Sequence, residues 1–67
     1  MSPRQLGRTL RALRDDRGLT QRDLAKRATV TPGYIAQLEQ AVRKNPSLTI
    51  LKRLAKALGV PVTDLLE

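Results

Sequence analysis

Apolar residues along this chain recur every three or four positions and nowhere alternate, so the pattern predicts helices and no strands. Leu6, Leu10 and Leu13 share one face of a first helix. Its start is written in Ser2-Pro3-Arg4-Gln5: Ser2 as cap, Pro3 in the first helical position, Gln5 as capping-box partner. Gly18 supplies the stop. Thr20 and Asp23 repeat the capping-box spacing and open a second helix, with Leu24, Ala25 and Ala28 inward; two alanines there allow another helix to come close. Thr31 and Pro32 open a third, on which Ile35, Leu38 and Val42 are expected to face the core. After Asn45-Pro46-Ser47 comes a fourth, with the stripe Leu48, Leu51, Leu54, Ala55 and Leu58, ended by Gly59. Pro61 opens a short fifth holding Val62, Leu65 and Leu66. The second and third helices are separated by about three residues, the connection of a helix-turn-helix. The expected fold is all-α: a compact bundle of four to five short helices in one domain, residues 1–67, with a helix-turn-helix at about 20–41.

The third helix is unusual on its outer side. On a helical wheel of residues 32–42, Gly33, Ala36, Gln37 and Gln40 fall opposite Ile35, Leu38 and Val42. Residues 28–42 contain one charged side chain, Glu39, in a chain of net charge +7 and isoelectric point near 11.2. All 13 Lys and Arg lie outside that stretch, on both sides of it. A strongly basic small domain attracts polyanions, nucleic acid above all. A face read against base edges needs hydrogen-bonding groups and close approach, whereas cations serve phosphates. A neutral reader between cationic flanks fits a groove bordered by two phosphate strands.

Other chemistries find little here. There is no Cys and no His, which excludes disulfides, thiolate nucleophiles and the usual zinc ligands. No paired-carboxylate spacing, metal cluster, Gly-rich phosphate loop or Ser/His arrangement points to an enzyme, and no cofactor, metal or small-molecule ligand is expected. No apolar run is long enough to span a membrane. With no Trp or Phe and Tyr34 as the single aromatic residue, the chain lacks the usual anchors of a membrane-surface helix. MSPRQLGRTL has no apolar signal-peptide core, so a cytoplasmic protein is expected.

Leu19-Thr20-Gln21, Leu24-Ala25, Tyr34-Ile35, Leu38-Glu39, Pro46-Ser47-Leu48, Leu54-Ala55-Lys56-Ala57-Leu58-Gly59-Val60 and Asp64-Leu65-Leu66 stand in order and register across residues 6–66. In these motifs the chain resembles the phage repressor/Cro family, the lambda-repressor-like helix-turn-helix domains. The resemblance implies sequence-specific binding to duplex DNA, usually as a dimer, with the third helix in the major groove and the second across the backbone. Base contacts then fall to Thr31, Pro32, Gly33 and Gln37. Gln37 has the geometry to pair bidentately with adenine or to donate to guanine. Gly33 and Ala36 remove bulk, and Thr31 and Pro32 offer a methyl and a ring to a thymine methyl. Backbone contacts fall to Thr20 and Gln21, at a helix start that favours anions, and to Gln40, Arg43 and Lys44, with weaker claims for Arg22 and Lys26. Asn45 touches a phosphate, touches a base edge or caps the turn. Arg14 and Glu39 sit at the edges of their apolar stripes; the family often pairs an arginine and a glutamate there, so a partly buried salt bridge is expected, orienting more than stabilising.

Four positions, in three places, depart from the family. Thr29 stands where the turn usually has Gly, so a left-handed backbone there carries roughly 1 kcal/mol or more of strain. Ala41 replaces a Gly common after the third helix, which leaves the geometry of 41–46 open. Pro32 and Gly33 replace common hydrogen-bonding readers, leaving Gln37 as main direct reader and more to DNA shape.

The expected protein is a small transcriptional regulator or the DNA-binding domain of one, cytoplasmic and nucleoid-associated, of the restriction–modification controller, antitoxin or phage type. A homodimer on a near-palindromic operator would set two third helices ~34 Å apart, with Val60, Val62 and Leu66 as candidate dimer contacts. At this length no ligand-sensing domain is expected. The alternative is a protein-interaction module that keeps the fold without sequence-specific DNA binding.

Overall fold

The computed structural model describes residues 1–66. Five helices follow in order: α1 (Pro3–Asp16), α2 (Gln21–Ala28), α3 (Pro32–Glu39), α4 (Leu48–Leu58) and α5 (Thr63–Leu66), with no strand among the described residues. None of these helices is long and apolar enough to cross a membrane.

Each of the first four helices starts on a hydroxyl. Ser2 Oγ accepts the N–H of Gln5 and Gln5 Oε1 accepts the N–H of Ser2, a complete capping box. Thr20 and Asp23 form the second, at 3.0 Å in both directions. Thr31 Oγ1 accepts from the N–H of Tyr34, and Ser47 Oγ from that of Ile50. These caps satisfy N–H groups that otherwise have no partner within the helix.

The same helices also end alike. The N–H groups of Leu19, Val30, Val42 and Val60 donate to the carbonyls of Arg14, Ala25, Gln37 and Ala55, five residues back. The residue before each donor, Gly18, Thr29, Ala41 and Gly59, has φ between 60° and 71°. This is the Schellman closure, with one left-handed residue turning the chain off the helix.

The core gathers Leu6, Leu10, Leu24, Ile35, Leu38, Leu51, Leu54, Leu58 and Leu65 around the small Ala25, Ala28 and Ala55. α3 packs on α1 and α2, α4 packs on α2, and α5 closes against α1 and α4. The alanines of α2 let it lie between α3 and α4. Gly7 does the same for α1: a Cβ there would stand 2.6 Å from the Leu38 carbonyl oxygen and 2.7 Å from that of Glu39. The backbone at the end of α3 therefore rests directly on α1.

Three apolar positions differ from the wheel. Val42 is 64% exposed, because α3 stops at Glu39 and the turn at Ala41 carries the chain away before Val42 can return to the inward face. Leu48, in the first turn of α4, is 52% exposed, ahead of the point where the helix meets the core. The last helix begins at Thr63 and not at Pro61; it buries Leu65 and leaves Leu66 exposed.

Candidate nucleic-acid interface

α3 is held by its inner face, through Ile35 and Leu38, both essentially inaccessible to water. Its other side is then obliged to face out: Thr31, Pro32, Gly33, Gln37 and Gln40 are exposed and Ala36 is half-buried. No Lys or Arg lies on this helix. Nothing approaches within 4 Å of where a Gly33 side chain would begin, so the first turn is open as well as small.

The orientation of α3 is reinforced at Glu39. Its carboxylate accepts Arg14 Nε at 2.7 Å, Arg14 Nη2 at 3.0 Å and Gln21 Nε2 at 3.1 Å. Arg14 Nη1 donates to the Leu19 carbonyl at 2.8 Å. The two charged side chains are 11% and 5% exposed. The Glu39 carboxylate beside it holds the Arg14 guanidinium above its ordinary range, so the arginine stays charged. A bidentate pair with every polar atom partnered compensates the loss of water. It ties α1, the α1–α2 connection and α2 to the last residue of α3.

Gln21 was expected on phosphate, and the structure turns its side chain inward to Glu39. What the start of α2 presents outward is backbone: the N–H groups of Gln21 and Arg22 have no internal acceptor among the described residues. Thr20, Gln21, Arg22 and Pro32 border one open recess joining the starts of α2 and α3, with Asp15 on its rim. Asp23, which caps α2, keeps its carboxyl below the usual range, mainly through the Thr20 N–H, with the Thr20 hydroxyl next and Arg27 and Arg22 adding to it.

A second recess joins α3 to the following loop and is lined by Gln37, Val42, Arg43, Lys44 and Asn45. The turn that builds it is specific: the N–H groups of Val42 and Arg43 both donate to the Gln37 carbonyl, at 2.9 and 3.1 Å. This brings Arg43 back over α3. Its guanidinium carbon lies 4.9 Å from the centroid of the Tyr34 ring, and its Nε donates to Gln37 Oε1 at 3.2 Å. Arg43 is thus part of the face of α3 and not a free loop cation. Lys44 and Asn45 are exposed; the cap of α4 is Ser47, so Asn45 is not used there. Of the dimer candidates, Val60 and Val62 are partly buried against the core and Leu66 is 43% exposed.

Sequence reasoning missed Gly7, the inward turn of Gln21 and the Tyr34–Arg43 stack. A Gly inside an otherwise apolar helical stripe is the signal that marks a close backbone approach for Gly7. The other two carry no periodic signal.

Two short helices crossing through a tight turn, one capped toward solvent and the other presenting a neutral polar face, define a helix-turn-helix module. A family model described as helix-turn-helix matches residues 10–65, and the chain belongs to that family, the XRE type. The transcriptional regulator DdrOP3 of Deinococcus deserti is 47% identical over 58 residues, which are 87% of this chain and 44% of that protein. The chain spans less than half the length of several curated relatives it matches. Among solved structures, the restriction-modification controller protein C.AhdI from Aeromonas hydrophila has a TM-score of 0.90 at 33% identity, covering 94% of each chain. The biofilm master regulator SinR, in complex with DNA, has a TM-score of 0.88 at 29% identity, covering 92% of this chain and 98% of that one.

Proposed function

We propose that this chain binds double-stranded DNA sequence-specifically as a transcriptional regulator, with α3 in the major groove and the start of α2 against the phosphate backbone. The single observation that carries this is the outward face of α3: exposed Gly33 and Gln37, no cation on the helix, and cationic or N–H-rich recesses at both ends. SinR is solved with DNA, and this chain aligns with 98% of the SinR chain in that complex.

In this reading Gln37 reads a base edge, and Thr31, Pro32 and Gly33 form the close-packed start of the reader. The free N–H groups of α2, helped by Thr20, receive one phosphate. Lys44, Gln40 and Asn45 hold the strand on the other side. Two copies bind a near-palindrome with their α3 helices one turn of DNA apart, joined through Leu66 with Val60 and Val62.

Selection from random duplex DNA with the purified protein tests this. A recovered near-palindrome supports it, with a slope of about −5 on a log–log plot of affinity against salt for some six phosphate contacts. Lys44→Ala then weakens all sequences alike, while Gln37→Ala relaxes preference at one base pair per half-site. Indifference to every duplex at low ionic strength overturns it.

A further inference from the structure

Gln37 and Arg43 are not two independent side chains, and the way they are joined restricts what they can read. Arg43 Nε is a donor with no acceptor capacity, so the Gln37 atom facing it at 3.2 Å is the amide oxygen. That oxygen is aimed at the guanidinium with one lone pair engaged, so a base can use it only from the direction this bond leaves open. Gln37 is left with its two amide N–H donors and that second lone pair. The guanidinium is itself located, by the Tyr34 ring at 4.9 Å and by the short turn at Ala41 and Val42. Its remaining N–H groups have no internal partner among the described residues. The unit formed by Gln37 and Arg43 therefore presents mostly donors: two amide N–H and the remaining guanidinium N–H groups against one oxygen lone pair.

In the major groove, guanine shows two adjacent acceptors, N7 and O6, whereas adenine sets a donor beside its acceptor. We propose that Arg43 is a specificity-determining residue: it holds the Gln37 oxygen so that the pair selects guanine, and its release would let Gln37 accept adenine. The bidentate adenine contact open to a free glutamine is thereby disfavoured, since it sets the guanidinium donors beside the adenine N6 donor. Arg43 acts on the base choice of Gln37 and does not serve chiefly as a phosphate cation. This inference rests on the DNA-binding reading above.

The test starts from the operator selected by the wild-type protein. Each base pair is varied in turn, and Gln37→Ala identifies the pair that Gln37 reads. That pair should be G·C, preferred over A·T on the order of tenfold or more. Arg43→Ala should shift preference at that one pair toward A·T and leave the other positions as they were. Arg43→Lys keeps the charge but loses the planar Nε–H, and should behave like Arg43→Ala. Both sites are exposed, so unchanged melting of the variants shows that the fold is intact. The inference is overturned, with DNA binding intact, if the Gln37-dependent pair is A·T in the wild type. It is equally overturned if Arg43→Ala lowers affinity for all duplexes alike, flattens the salt slope by about one, and is rescued by lysine. Absence of any preferred duplex for the wild-type protein instead removes the DNA-binding reading itself.

Discussion

α1 and α4 end on Gly18 and Gly59, whereas α2 and α3 end on Thr29 and Ala41, though all four close with the same pair of hydrogen bonds. For glycine the left-handed backbone is free of steric cost; for a residue with a Cβ it costs roughly 1–2 kcal/mol, more for a β-branched one. The framework helices are therefore terminated without strain, and the two ends that bracket the reading helix are terminated with it. Thr29, at φ 60° and ψ 46°, sits fully in the left-handed region. Such strain persists when the surroundings over-determine it. Here they do: Val30 packs partly into the core, the capping N–H groups are all paired, and α3 is fixed at its far end by Gly7, Arg14 and Gln21. The lesson is that the position of α3 is set by contacts with its neighbours, and its turns comply.

If that is right, the largest losses come from those contacts and the turns yield gains. Glu39→Ala leaves Arg14 charged and nearly buried, with Asp15 at 3.3 Å and the Leu19 carbonyl as its remaining partners, and should cost about 3 kcal/mol in urea unfolding. A loss under 1 kcal/mol would mean that the turns, not the ion pair, hold the end of α3. Gly7→Ala forces α1 off the Leu38 and Glu39 carbonyls and should cost about 1–3 kcal/mol, with weaker DNA binding measured on the folded fraction. Next come the turns: Thr29→Gly and Ala41→Gly should each stabilise by up to about 1 kcal/mol, while Gly18→Ala and Gly59→Ala should each destabilise by about as much. Nothing lies within 4 Å of either glycine's missing side chain, so the loss there reports backbone strain alone. Equal signs at all four sites would erase the contrast. The smallest effect is electrostatic. Asp23 is held below its ordinary value, so its cap contributes stability that is present above about pH 3.9 and is lost as pH falls through the lowered value. Melting of Asp23→Asn against wild type should differ at neutral pH, and the difference should shrink in acid.

The helices were legible because their signals are local. Ser2, Thr20, Thr31 and Ser47 each stand just before an apolar period of 3.6, and each proves to be a cap. Where the wheel failed, at Val42 and Leu48, the cause was a helix boundary: periodicity extrapolates a helix past the point where a turn ends it. The reader face was legible as a deficit of charge. The inward turn of Gln21 was not, because a glutamine at a helix start has the same local pattern whether it faces solvent or a carboxylate on another helix.

Helix number, caps, core face and the neutral outer side of α3 follow from the order of residues, since each depends on neighbours a few positions away in the chain. Tertiary packing alone decided three things: that Gly7 admits the end of α3, that Gln21 joins the expected Arg14–Glu39 pair, and that Arg43 folds back onto Tyr34 and Gln37. The first two join residues 18 or more positions apart. The third joins near neighbours, but only through a left-handed turn at Ala41 that a residue with a Cβ adopts when its surroundings hold it there.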